Sequence, residues 1–115
     1  MNDADTTLAD LKDLVRDFRD RRDWEQFHTP KNLSMSIAIE AAELMEEFQW
    51  LTPEESQRLR EDEEKLAGLG EELADVLIYA LSLANSLDID IATVVSDKLA
   101  KNAEKYKEDE YRGRF

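Results

Sequence analysis

Glu71-Glu72-Leu73-Ala74-Asp75-Val76-Leu77-Ile78-Tyr79 lies inside a longer apolar run, and that run decides how the rest of the chain must fold. Leu66, Leu69, Leu73, Val76, Leu77, Ala80, Leu83 and Leu87 recur at spacings of three and four, which predicts one long helix from about Asp62 to Leu87. Its apolar face is too wide for one partner helix, so burial on several sides, including a subunit interface, is expected. Along the same helix Glu72, Asp75 and Tyr79 form an i, i+3, i+7 stripe. An acidic pair set in so apolar a run is harder to read as surface decoration than one in a charged run.

A second acidic signature, Glu40-Ala41-Ala42-Glu43, precedes it. Positions three apart lie about 60° from one another on a helix, so each pair projects from one face. Two such helices packed together would bring Glu40, Glu43, Glu72 and Asp75 into one pocket. Two carboxylates roughly 5 Å apart repel by about 3 kcal/mol at an effective dielectric of about 20, so four of them call for a cation. An all-oxygen shell suits Mg²⁺, with Mn²⁺ as a substitute, rather than zinc. Spacing alone also allows a plainer reading, two solvated faces in a chain with 28 acidic residues.

The first helix is expected from about Thr7 to Arg22, with Leu8, Leu11, Val15 and Phe18 as its stripe, widened by Leu14. Asp23 to His28 breaks that pattern and places Trp24, Phe27 and the one histidine in a loop. Thr29-Pro30 starts the second helix, expected to run to Trp50, with Thr as N-cap and Pro at the first position. Its core stripe is Ile37, Ala41, Leu44, Phe48 and Leu51, and beside it run Ser36, Glu40, Glu43, Glu47 and Trp50. Thr52-Pro53 with Glu55 reads as a capping box opening a short helix to about Arg60. After a turn at Leu87 to Asp90, a further helix runs from about Ile91 to Tyr106, with Lys98, Asn102 and Lys105 on one face and Tyr106 close by. Residues 107–115 read as a loose polar tail.

The 115 residues therefore predict a single all-α domain, a four-to-five-helix bundle whose helices are completed by oligomer packing. A formal net charge of −13 argues against a nucleic-acid polymer as partner, since neutralising phosphates takes a basic patch. The absence of cysteine excludes disulfides and thiolate metal sites. The acidic start lacks the features of a signal peptide, and the apolar run from Val76 to Ala84 is far short of a membrane span. A cytoplasmic protein with no membrane partner is the expectation.

Four blocks carry a family resemblance: Asp23-Trp24-Glu25-Gln26-Phe27-His28-Thr29-Pro30-Lys31-Asn32-Leu33; Glu40-Ala41-Ala42-Glu43-Leu44 with Phe48-Gln49-Trp50; Glu71 to Tyr79; and Lys98 with Asn102 and Lys105-Tyr106. In this order the chain resembles the MazG-like all-α nucleoside triphosphate pyrophosphohydrolases, in their dCTP pyrophosphatase-like branch. The resemblance implies Mg²⁺-dependent cleavage of a (d)NTP, such as dCTP or a modified pyrimidine nucleotide, between the α- and β-phosphates. The products would be a monophosphate and pyrophosphate, the role nucleotide-pool sanitation, and the assembly a homotetramer built as a dimer of dimers. It assigns metal ligation to Glu40, Glu43, Glu72 and Asp75, base contact to Trp24, His28, Trp50 and Tyr79, and phosphate contact to Lys98, Asn102 and Tyr106. Many relatives carry glycine where this chain has Ile39, Ala41 and Ala42, and proline where it has Lys107.

Glu40 is the choice for the catalytic base, with Glu43 beside it as the second catalytic carboxylate. On spacing alone Trp50 and Tyr79 also read as core, His28 as a helix-start packing residue, and Lys98 with Asn102 as a polar helix face. A ferritin-like di-metal bundle wants Glu-x-x-His motifs, and the single histidine lies outside both acidic signatures. The other readings are a non-catalytic helical interaction module and the same chemistry on a different nucleotide such as dUTP.

Overall fold

The computed structural model describes residues 1–114, and these form an all-α structure. Its helices are α1 (Leu8–Asp20), α2 (Pro30–Glu46), α3 (Pro53–Gln57), α4 (Glu63–Ser86), α5 (Ile91–Lys105) and α6 (Glu108–Tyr111). Single 3₁₀ turns, Glu25–Phe27 and Arg58–Glu61, precede α2 and α4.

The starts are set by side chains that satisfy otherwise unpaired amides. Thr7 accepts from the Asp10 amide while the Asp10 carboxylate accepts from the Thr7 amide, a complete capping box, and Thr52 with Glu55 repeats it at α3. Thr29, Asp62 and Asp90 cap α2, α4 and α5 in the same way from one side. The ends differ more from expectation. Helix α2 closes at Glu46, and Glu47 to Trp50 continue as tighter turns in which the Glu47 and Phe48 amides reach back three residues. Pro53 disfavours helical geometry in the residue before it, so the chain must leave the helix ahead of Thr52. The segment expected as a loose tail contains the single exposed turn α6, whose Tyr111 ring meets Tyr106 edge-on at 5.3 Å; the last residue of that tail lies outside the described residues.

Helix α4 is the axis. Its 24 residues rise about 36 Å, and α2 packs along it while α1 packs across its C-terminal half. The buried centre is small, with Leu33 of α2 against Leu81, Ser82, Ala84 and Asn85 of α4. Asn85 ties the layers together: its amide donates to the Lys12 carbonyl at 2.9 Å and its oxygen accepts from Arg16 at 3.0 Å. Lys12 donates in turn to the Ile89 carbonyl at 2.8 Å, joining α1 to the turn after α4.

The wide apolar face of α4 is only partly covered. Leu81 and Ala84 are buried, whereas Leu66, Leu73, Leu77 and Leu87, expected in the core stripe, are each about half exposed; for Leu66 and Leu73 this is because α1 reaches only the C-terminal half. At Leu87 to Asp90 the chain turns by 103° into α5, which among the described residues packs broadly on no other helix and contains no buried residue. The structure is consequently open. Its accessible surface is 9433 Å² where a compact protein of 13.3 kDa exposes roughly 6,500 Å². Its radius of gyration is 17.1 Å against about 13 Å for a compact chain of this length. No single helix among the described residues is long and apolar enough to cross a membrane.

Replacing Asn85 by Ala strands the Lys12 carbonyl and frees the Arg16 guanidinium, so it should destabilise the fold by about 1–3 kcal/mol in urea titrations.

Candidate metal centre

Helix α2 presents Glu40 and Glu43 on one face, one turn apart, and α4 presents Glu72 opposite them. One carboxylate oxygen from each lies within 4.8 Å of the others. Glu40 and Glu72 are half-buried, and in each the Oε2 atom is sealed from solvent with no hydrogen-bond partner. Burial, first, and then hydrogen bonding and charge from Glu43 and the charges of Asp75 and Glu72 push the Glu40 pKa up. Burial likewise raises that of Glu72, followed by the charges of Glu43, Asp75, Glu47 and Glu71. Asp75 stands on the exposed flank, outside the three-carboxylate cluster, and its charge acts on both Glu40 and Glu72.

Two buried acceptors without donors, among like charges and with no lysine or arginine paired to them among the described residues, are costly as they stand. A divalent cation resolves both the missing hydrogen bonds and the repulsion. The donor set is oxygen alone, which fits a hard cation. Glu40, Glu43 and Glu72 are placed to hold it together, with Asp75 at the rim.

Beside the acids runs a file of rings. Phe18 meets Trp24 edge-on at 5.9 Å, Trp24 meets His28 at 6.1 Å, and His28 meets Tyr79 at 6.3 Å. The Trp24 amide donates to the Arg19 carbonyl at 3.1 Å, which anchors the turn leaving α1, and Asp23 makes that turn possible with φ 53°. His28 Nδ1 is buried without a partner. Burial, and then the charge of Arg19, hold the His28 pKa below its ordinary value, so the ring is neutral at neutral pH. Trp24, His28 and Tyr79 are thus brought together. Trp50 is not among them; it is 87% exposed in the turns after α2. Lys98, Asn102 and Tyr106 lie on and just after α5, and among the described residues no hydrogen bond or ion pair links them to the acids.

The aromatic file also includes Phe18, and a cation beside it, that motif reading did not assign to a site. Phe18, read as core, is half exposed, and the Arg22 guanidinium sits over its ring at 3.6 Å. Their i, i+4 spacing was a readable signal for that pair.

A family model described as the MazG-like family matches residues 35–114, the stretch that carries all four carboxylates. The chain belongs to this family. Among MazG-like relatives, it is 40% identical over 100 residues to dCTP pyrophosphatase 1 of Rattus norvegicus, covering 87% of this chain and 59% of that protein. The Homo sapiens dCTP pyrophosphatase 1 is 41% identical over the same coverage. The chain therefore spans about three-fifths of the length of these relatives. The crystal structure of a pyrophosphatase from Archaeoglobus fulgidus superposes with a TM-score of 0.78 at 41% identity, covering 93% of this chain and 98% of that one.

The raised pKa of Glu40 fixes the sign of a pH effect. A group whose folded pKa lies above its unfolded value contributes stability below the unfolded pKa and loses it as pH rises through the folded one. In metal-free protein the melting temperature of the wild type minus that of Glu40→Gln should therefore fall as pH rises from the carboxylate range to neutrality. Millimolar Mg²⁺ should raise the wild-type melting temperature and do so far less in Glu43→Gln. Equal gains in both would indicate charge screening.

Proposed function

We propose that this protein hydrolyses a nucleoside triphosphate, dCTP or a modified pyrimidine nucleotide, to the monophosphate and pyrophosphate, with Mg²⁺ as cofactor and Mn²⁺ as a substitute. The carrying observation is the cluster of Glu40, Glu43 and Glu72, with its two orphaned buried oxygens, set beside the Trp24, His28 and Tyr79 rings. The printed names of the relatives, dCTP pyrophosphatase 1 and a pyrophosphatase, support the same reading. The proposed role is sanitation of the cytoplasmic nucleotide pool.

A bound Mg²⁺ supplies charge neutralisation for the phosphates. The chain's own residues do the rest. Trp24, His28 and Tyr79 offer faces and edges to a base, with stacking worth about 1–3 kcal/mol per base. Tyr79 follows Glu72 by two helical turns, about 10 Å, so a base on these rings leaves the α-phosphate nearest the acids. Glu40, made less acidic by burial and by its neighbours, accepts a proton from the attacking water. The water oxygen bonds to the α-phosphorus, the bond from that phosphorus to the bridging oxygen breaks, and pyrophosphate leaves with the electron pair. Glu43 would share in holding the metal, and the charge of Glu47 acts on Glu72.

The site is proposed to be complete only in a homo-oligomer, a tetramer arranged as a dimer of dimers. The open apolar faces of α4 (Leu66, Leu73, Leu77) and α5 (Val94, Val95, Leu99), with the large excess of exposed surface, support this. Trp50 would then find a base to cover, and Lys98, Asn102 and Tyr106 the phosphates, in the assembled protein.

Three measurements test these readings. Hydrolysis in ¹⁸O-water should label the monophosphate and leave pyrophosphate unlabelled; orthophosphate as the first product would refute the α-phosphorus as the point of attack. Absence of pyrophosphate release across a panel of canonical and modified (d)NTPs with Mg²⁺ would favour a non-catalytic interaction module. Light scattering at micromolar concentration should give a mass several times 13.3 kDa, and a monodisperse monomer would refute the assembly.

A further inference from the structure

The end of α1 is closed by a backbone arrangement that glycine usually supplies. The Trp24 amide donates to the Arg19 carbonyl at 3.1 Å, five residues back, and the Asp23 amide to the Asp20 carbonyl at 3.1 Å, three back. These are the two bonds of a Schellman cap, in which the residue just past the helix takes the left-handed conformation. Here that residue is Asp23, with φ 53°. Aspartate enters this region more readily than most side-chain-bearing residues, whereas β-branched residues resist it.

The cap decides where Trp24 goes. Such caps fold the residue after the left-handed one back against an apolar residue in the last turns of the helix. In this chain the two are Trp24 and Phe18, whose rings meet edge-on at 5.9 Å. Arg22 closes over the pair. Its guanidinium lies 3.6 Å from the centroid of the Phe18 ring and 6.0 Å from that of Trp24, and one terminal nitrogen donates to the Phe18 carbonyl at 3.1 Å. Arg16, Arg19 and Arg21 each pair with an aspartate of α1, but Arg22 has no carboxylate partner among the described residues. Its cation is committed to the rings.

Trp24 needs such a hold. It is 41% exposed, and beyond Phe18 its ring neighbour is His28, at 6.1 Å. A half-free indole must be ordered when a base stacks on it, and that ordering is subtracted from the affinity.

Resting on the nucleotide reading above for what Trp24 touches, we infer that Arg22 and Asp23 are positioning residues, which set the Trp24 ring in place before a base arrives. Asp23 closes the cap and Arg22 clasps the ring against Phe18. Arg22 stands at the Phe18 end of the aromatic file, with Trp24, His28 and Tyr79 leading from there to the acids, so it acts through Trp24 and not on the phosphates.

Two measurements on the full-length protein test this. The first reads the ring without any nucleotide, as acrylamide quenching of fluorescence in a Trp50→Phe background, where Trp24 is the one indole left. Arg22→Ala and Asp23→Val should raise the quenching constant towards that of a fully exposed indole. Asp23→Gly, which takes the left-handed conformation without strain, should leave it unchanged. The second reads KM and kcat for dCTP in Mg²⁺. Arg22→Ala should raise KM about two- to fivefold, the worth of a cation–π contact at an exposed site, and move kcat less. Arg22→Lys, which keeps the charge and loses the flat stack, should restore only part of this. In a Trp24→Ala background Arg22→Ala should add nothing further. Quenching indifferent to Arg22→Ala would overturn the inference whatever the enzyme does, and since Arg22 is exposed this variant carries the test if Asp23→Val fails to fold. An Arg22→Ala effect on KM that persists in full without Trp24 would also overturn it, marking Arg22 as a direct contact. Altered quenching in a protein that binds no nucleotide would refute the nucleotide reading and leave the placement of Trp24 by the cap standing.

Discussion

Three carboxylates held within 4.8 Å of one another, two of them with a sealed and unpartnered oxygen, are the constraint on which the rest of this structure depends. Such an arrangement works against the fold unless a cation joins it, since burial and like charge both oppose ionisation. The upward pKa shifts of Glu40 and Glu72 express that opposition. The fold tolerates it because Glu40, Glu43 and Glu72 are carried on two long helices whose packing is decided elsewhere, at Leu33, Leu81 and Ala84. Binding-site strain and fold stability are thereby assigned to different parts of the same helix pair.

Helix α4 serves both ends. Its C-terminal half is buried under α1 and fastened by Asn85, Arg16 and Lys12, whereas its N-terminal half leaves leucines half exposed. A chain this open leaves much apolar surface in water, and hydrophobic stabilisation scales with the area removed from water. The same opening keeps α5 away from the acids, so any part its residues play at the site rests on the proposed assembly.

Along the α2–α4 pair the chemistry is graded. Hard oxygen donors come first, then ring faces at Tyr79, His28 and Trp24. A nucleotide has the same order of parts, anionic and flat. The neutral state of His28, held by burial and by Arg19, keeps the ring end of that gradient free of charge.

Much of this was determined by the sequence itself. Apolar spacing marked the helices, and Thr7, Thr29, Thr52, Asp62 and Asp90 set their starts, because caps and periodicity act over a few neighbouring residues. The i, i+3 pairs put Glu40 beside Glu43, and Glu72 near Asp75, on single faces for the same local reason. Tertiary structure alone decided which of those faces met. It drew Glu72 into the cluster and left Asp75 at the rim, and it gathered Trp24 and His28 from a turn onto Tyr79 while leaving Trp50 in solvent. It also decided which leucines of α4 are core, since that depends on which faces of α4 the neighbouring helices α1 and α2 cover.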